Sequence, residues 1–290
     1  MTSRDVDRRT VASADGVRLA VVEVGPPTAP PVGVAHGGGS ASRVVVAAFA
    51  GPVTAAGARL IAFDQRGHGD SDPVHDPAGH ALDRHVDDLV AVVDHLDPHE
   101  EPPVAVVGVS MGGHAAVRAA ASGRLPDVAT VVACLPAWTG RAAAGEGPHA
   151  AIAAEVRTTG IAAMTDRLAA DTVLPSWLRD TLVTDYRRHD PDSLTAALLA
   201  LDGGEAPTLD EAAAVAPRLG VVAWPDDPGH PLAVATAWGA AAGTAPVTLH
   251  LDDLDAGVDR LGAAAMRAIA GDGRPTGSAP ALGQDRFGGA

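Results

Sequence analysis

Short runs of consecutive apolar residues recur along the chain, and most are followed by a segment whose apolar positions repeat every three to four residues. Val32 to Ala35, Arg59 to Phe63, Pro103 to Val107, Val128 to Cys134 and Leu219 to Trp224 are the runs. They are too short for helices and show no polar alternation, as expected of strands covered on both faces. Between them, Leu82, Val86, Leu89, Val90, Val93 and Leu96 fall on one face of a 3.6-residue period, which predicts an amphipathic helix over 82–97. Val44 to Ala56, despite Pro52, and Gly113 to Ala121 read as further helices. Near the start, Asp15-Gly16 separates Thr10–Ser13 from Arg18–Val24 and predicts a hairpin. Strands alternating with helices in this way indicate the α/β class, with a mainly parallel central sheet and helices on both faces.

The alternation stops at Leu135 and resumes at Leu219. Residues 136–217 carry no strand-like run and read as helices near 148–158, 161–170, 176–187 and 192–201, a helical cap inserted into the sheet domain. After it come a helix over Pro231–Ala242, a strand over Val247–Leu251 and a helix over Val258–Ala270. The expected organisation is therefore core over 1–135, cap over 136–217, core over 218–270, and a disordered tail over 271–290, where eight of twenty residues are Gly or Pro. Trp138, four residues past Cys134, is the candidate wall of a pocket beneath the cap. An apolar cap suits a small, largely apolar substrate.

Composition narrows the partners. The 290 residues carry a net charge of −15, which would repel nucleic acid and anionic membrane alike. Aromatic residues are only 3%, so the core must be built mostly from Ala, Val and Leu. The single cysteine, Cys134, excludes an internal disulfide and suits a reducing cytoplasm. Met1 to Thr10 is charged, with no secretory h-region, and no apolar run approaches ~18 residues. A cytoplasmic protein with a small-molecule substrate is expected, as monomer or homodimer. Asp83, His85, Asp87, Asp88, Asp94, His95 and His99 crowd one region, but the acids fall on the polar side of the 82–97 helix and read as a solvated face. No metal site and no cofactor is expected.

The chemistry centres on Gly108-Val109-Ser110-Met111-Gly112, set between an apolar run and a helix of small residues. A strand–turn–helix with serine at the bend needs unbulky neighbours, and it lifts the hydroxyl above the sheet edge near the positive end of the helix dipole. Ser110 is the candidate nucleophile, and a serine hydroxyl needs a base beside it.

Two further stretches join this one: His36-Gly37-Gly38-Gly39 after the Val32 run, and Asp64-Gln65-Arg66-Gly67-His68-Gly69-Asp70-Ser71 after the Arg59 run. With these in order, residues 10–270 resemble the α/β-hydrolase superfamily. The resemblance implies an α/β-hydrolase fold and acyl transfer through a covalent serine ester, with the backbone amides of Gly38 and Met111 as oxyanion hole. His36 then holds its loop by hydrogen bonding, and the segment from Asp64 to Asp72 is a structural turn tied by Arg66 and Asp70. An acid is implied after the seventh strand, where Asp227 stands four residues before Pro231; Asp226 is its neighbour and rival. The base is implied after the last strand, where the family places a Gly-His pair. This chain has none there; His250 is the positional candidate and His230 the runner-up. The expected activity is a carboxylic-ester-type hydrolase acting on a small apolar ester, lactone or thioester, with peroxide replacing water as a variant. The missing Gly-His keeps open a second reading, a non-hydrolytic binding protein, cyclase or lyase of the same fold.

Overall fold

The computed structural model describes residues 6–95, 105–145, 149–172, 176–227, 229–250, 253 and 257–274. The expected features at Leu96, residue 97 and His99, at Pro103 and Val104, at Leu251, and over tail residues 275–290 lie outside the described residues.

Eight strands form one sheet: β1 (Val6–Ala12), β2 (Arg18–Val24), β3 (Pro31–Ala35), β4 (Arg59–Phe63), β5 (Ala105–Val109), β6 (Thr130–Cys134), β7 (Leu219–Ala223) and β8 (Val247–Thr248). Their spatial order is β1-β2-β4-β3-β5-β6-β7-β8. The β1–β2 hairpin and the β2–β4 pairing are antiparallel, and every later pairing is parallel. The continuous apolar runs explain the architecture. In β6, Val131 and Ala133 face one layer while Val132 and Cys134 face the other, and all four are fully buried.

One layer holds α2 (Leu82–Asp94), α3 (Met111–Ala121) and α8 (Leu232–Ala242), the other α1 (Ser42–Ala55) and α9 (Asp259–Ala270). Small residues let these helices approach closely: a β-carbon on Gly262 of α9 would collide with the carbonyl of Ala48 in α1. The insertion between β6 and β7 supplies α4 (His149–Ala169), α5 (Ser176–Tyr186), α6 (Pro191–Leu201) and α7 (Leu209–Ala214). Gly160, at φ 85°, breaks α4 into two segments, as the separate 148–158 and 161–170 periodicities foretold. Helix α4 packs on both α5 and α6, and shares with α6 a small core of Val156, Met164, Leu194 and Leu198. By contrast, α7 packs on α3 and α8, within the layer that flanks the sheet.

The 82–97 helix departs from expectation on its polar side. Asp88 is fully buried, and its Oδ1 and Oδ2 accept from Nη2 and Nε of Arg66 at 2.7 and 2.8 Å. Arg66 also donates to Asp15 in the β1–β2 hairpin at 2.9 Å. This ion pair anchors the turn after β4, so Asp88 is no part of a solvated face. Nearby His85 is likewise buried. Among the described residues no cluster suited to a metal ion occurs, and no helix is long and apolar enough to cross a membrane.

Candidate active site

Ser110 sits where β5 turns into α3, with φ 50° and ψ −115°, a region costing ~1–3 kcal/mol for a residue with a side chain. The surroundings force it there. Ser110 N–H donates to Cys134 O at 2.8 Å, and Ser110 O accepts from His114 N–H at 3.0 Å. The flanking glycines permit the bend: a β-carbon on Gly108 would collide with the carbonyl group of Gly112, and one on Gly112 would lie 2.5 Å from Ala35 O.

The imidazole that meets the Ser110 hydroxyl is His230. Its Nε2 lies 2.9 Å from Ser110 Oγ, and its Nδ1 lies 2.6 Å from Asp227 Oδ2. Both partners come from the single loop after β7. Gly229 N–H donates to Asp227 Oδ1 at 2.8 Å, which fixes the carboxylate from its other side. Burial raises the Asp227 pKa, but the hydrogen bonds from His230 and from the amides of Gly229 and His230 outweigh it and leave the carboxylate below its ordinary value. Asp227 is thus the paired acid, and Asp226 is not.

His250 is not brought to the site. Strand β8 does end before it, at Thr248, yet its imidazole does not reach Ser110. The His250 ring is 63% exposed and its Nδ1 lies 3.6 Å from Asp226. The sequence signal for the histidine that meets Ser110 is the Gly229-His230 pair. It is the sought Gly-His dipeptide, displaced from the loop after the last strand to the loop after β7. There Asp227, three residues away, already occupies the correct sheet edge.

The glycine loop after β3 is held by three buried histidines. His36 Nε2 accepts from Gln65 N–H at 2.9 Å, which leaves the proton on Nδ1 to donate to Gly37 O at 2.7 Å. Gly37 O also accepts from Ser40 N–H at 3.2 Å. In a trans peptide the Gly38 N–H points opposite to that carbonyl, so these bonds set the direction of the Gly38 donor. Gly39 N–H donates to His68 Nε2 at 3.2 Å, and Gly39 O accepts from His189 Nε2 at 3.1 Å. Burial lowers the pKa of all three rings, to about 4 for His189, so they hold as neutral imidazoles. Met111 is the first residue of α3, and its N–H has no acceptor four residues back within the helix. Gly37 packs on Ser110: a β-carbon there would stand 3.4 Å from Ser110 Cβ.

Above these groups lies a cavity of about 360 Å³ lined by Gly38, Ser110, Asp227 and His230 at one end. Its remaining wall is mainly apolar: Phe49, Leu135, Trp177, Leu178, Trp224 and Leu261 are among its residues. Trp138 lies in the wall, its Nε1 donating to Gly204 O at 3.2 Å and its ring edge-on to His114. The segment from Asp64 to Asp72 stays outside the cavity lining. Arg66 ties it as expected, whereas the Asp70 carboxylate pairs with Arg188 between α5 and α6.

Comparison with known proteins bears on the family and the fold. Residues 27–198 match the hydrolase family described as serine aminopeptidase, S33. No curated protein sequence matches the chain. Among solved structures, the bottromycin epimerase BotH in complex with bottromycin A2 is 23% identical, with a TM-score of 0.64 covering 91% of this chain and 99% of that one. The enol-lactonase from Burkholderia xenovorans LB400 is 20% identical, with a TM-score of 0.68 over 84% and 91%. A bromoperoxidase from Bacillus anthracis is 15% identical, with a TM-score of 0.71 over 90% and 98%. At these identities the likeness is one of fold.

Proposed function

Because the chain belongs to the serine aminopeptidase S33 family of α/β-hydrolases, we propose that it is a serine hydrolase of small, apolar esters, lactones or thioesters. The observation that carries this is the continuous path from Ser110 Oγ through His230 to Asp227 at the end of an apolar cavity. Ser110 Oγ attacks the carbonyl carbon as His230 Nε2 accepts its proton, and Asp227 stabilises the resulting imidazolium. Charge building on the carbonyl oxygen is met by the amides of Gly38 and Met111. The tetrahedral species collapses to an acyl-serine, and His230 returns the proton to the departing alcohol or thiol. Water then attacks the acyl group through the same imidazole, releasing the acid and restoring Ser110.

The cavity composition supports the substrate class. Among the described residues lining it, Asp227 supplies the sole carboxylate and is already engaged by His230, and no Lys or Arg is present. A charged substrate would enter unpaired, at a cost of several kcal/mol. His230 beside Ser110 favours the hydrolytic reading over a non-hydrolytic binding protein, cyclase or lyase of the same fold.

The test compares three variants on p-nitrophenyl esters of short acyl chains, with fluorophosphonate labelling alongside. Ser110→Ala abolishes labelling, His230→Ala lowers kcat/KM by at least ~10²-fold, and His250→Ala stays within about twofold of wild type. An unlabelled wild-type serine, or a His250→Ala loss matching that of His230→Ala, defeats the assignment.

A further inference from the structure

Tyr186 has no part in the chemistry above, yet it belongs to the same cavity. It is the last residue of α5 and lines the wall with Gly38, Ser110 and His230. Its phenol lies directly against the glycine loop, since a β-carbon on Gly39 would stand 2.6 Å from the hydroxyl oxygen and 2.9 Å from Cζ. The hydroxyl has no hydrogen-bond partner among the described residues, and it is not one of the unpaired polar atoms sealed away from solvent. A hydroxyl left unpaired at an apolar cavity forgoes a hydrogen bond until something in the cavity offers an acceptor.

The residues around Tyr186 are also held in place. One residue before it, Asp185 accepts from Ser40 Oγ at 3.4 Å. Just after it, Arg188 pairs with Asp70, and His189 bridges Gly69 N–H and Gly39 O, each at 3.1 Å. Asp185, Arg188 and His189 therefore tie the backbone around Tyr186 to the glycine loop and to the Asp64–Asp72 turn, which holds the residue beside Gly39. Burial keeps the phenol pKa above its ordinary value, so the hydroxyl stays protonated and remains a donor.

We infer that the Tyr186 hydroxyl donates a hydrogen bond to an oxygen atom of the bound substrate beside the glycine loop. This substrate-binding role rests on the hydrolase reading. Two substrate oxygens answer the description: the scissile carbonyl oxygen, and an ether or keto oxygen near it on the acyl chain.

Wild type and Tyr186→Phe are compared on p-nitrophenyl butyrate and p-nitrophenyl methoxyacetate, with inhibition by an alkyl trifluoromethyl ketone measured in parallel. The variant keeps the ring, and thermal denaturation confirms that the fold is retained. A five- to fiftyfold fall in kcat/KM on both esters, with matching weakening of the ketone, places the hydroxyl on the scissile carbonyl. A fall confined to the methoxyacetate places it on the acyl oxygen. Equal kcat/KM for the two proteins on both esters overturns the inference and leaves the hydrolase standing. No turnover by wild type removes the hydrolase reading itself, and this inference with it.

Discussion

Lowering the pH from 7 to 5 should destabilise this protein through its buried imidazoles. His114 and His189 are 1% and 4% exposed, and burial lowers their pKa from 6.5 to about 3 and about 4. In both, the ring is fixed by an amide that donates to it, Ala137 N–H to His114 and Gly69 N–H to His189. A proton on that nitrogen would set donor against donor. The sign follows: between pH 6.5 and 4 the unfolded chain binds protons that the folded chain refuses, so stability is present above 6.5 and is lost as the pH falls. From pH 7 to 5 each ring costs about 2 kcal/mol. Asp185 acts the other way. Burial raises its pKa from 3.8 to about 6, so it takes up a proton more readily when folded and returns about 1 kcal/mol over the same interval. The net loss from these three groups is about 2–3 kcal/mol. His36, His68, His80, His85 and His149, all lowered by burial, add to it in the same direction. Urea titrations at pH 7, 6 and 5 read this directly. With a slope of ~3 kcal/mol per molar for a chain of this size, the midpoint should fall by about 1 M or more. In His189→Gln the drop should shrink by roughly 2 kcal/mol. A midpoint that does not move between pH 7 and 5 refutes the argument.

Asp88→Asn leaves the buried Arg66 guanidinium with only the part-exposed Asp15 carboxylate and should cost about 3–5 kcal/mol, read as a lowered urea midpoint at pH 7. Gly112→Ala drives a β-carbon to 2.5 Å from Ala35 O; it should lower stability by ~2–4 kcal/mol and reduce fluorophosphonate labelling of Ser110. An unchanged midpoint or full labelling would contradict the packing described at the bend.

Much of the fold was legible in the sequence because local chemistry dictated it. Apolar runs such as Arg59–Phe63 and Leu219–Ala223 are strands that must be covered on both faces, and the helical periodicities of 161–170 and 176–187 survive in α4 and α5. Gly108 and Gly112 marked the bend at Ser110 because a β-carbon at either position meets backbone. What the sequence left open was decided by distance in space. Asp88 carries the same chemistry as its exposed neighbours and is buried only because Arg66, 22 residues away, lies opposite it. In one dimension His250 has the better position and His230 is the runner-up. The loop after β7 folds Asp227 and His230 onto each other above Ser110, while His250, past β8, is exposed to solvent. The contacts that bring Tyr186 and His189 onto Gly39 join residues about 150 apart. Sequence patterns report which surface a segment must bury, a local property; they carry no record of which loop ends face one another, because that is set by how the whole sheet packs.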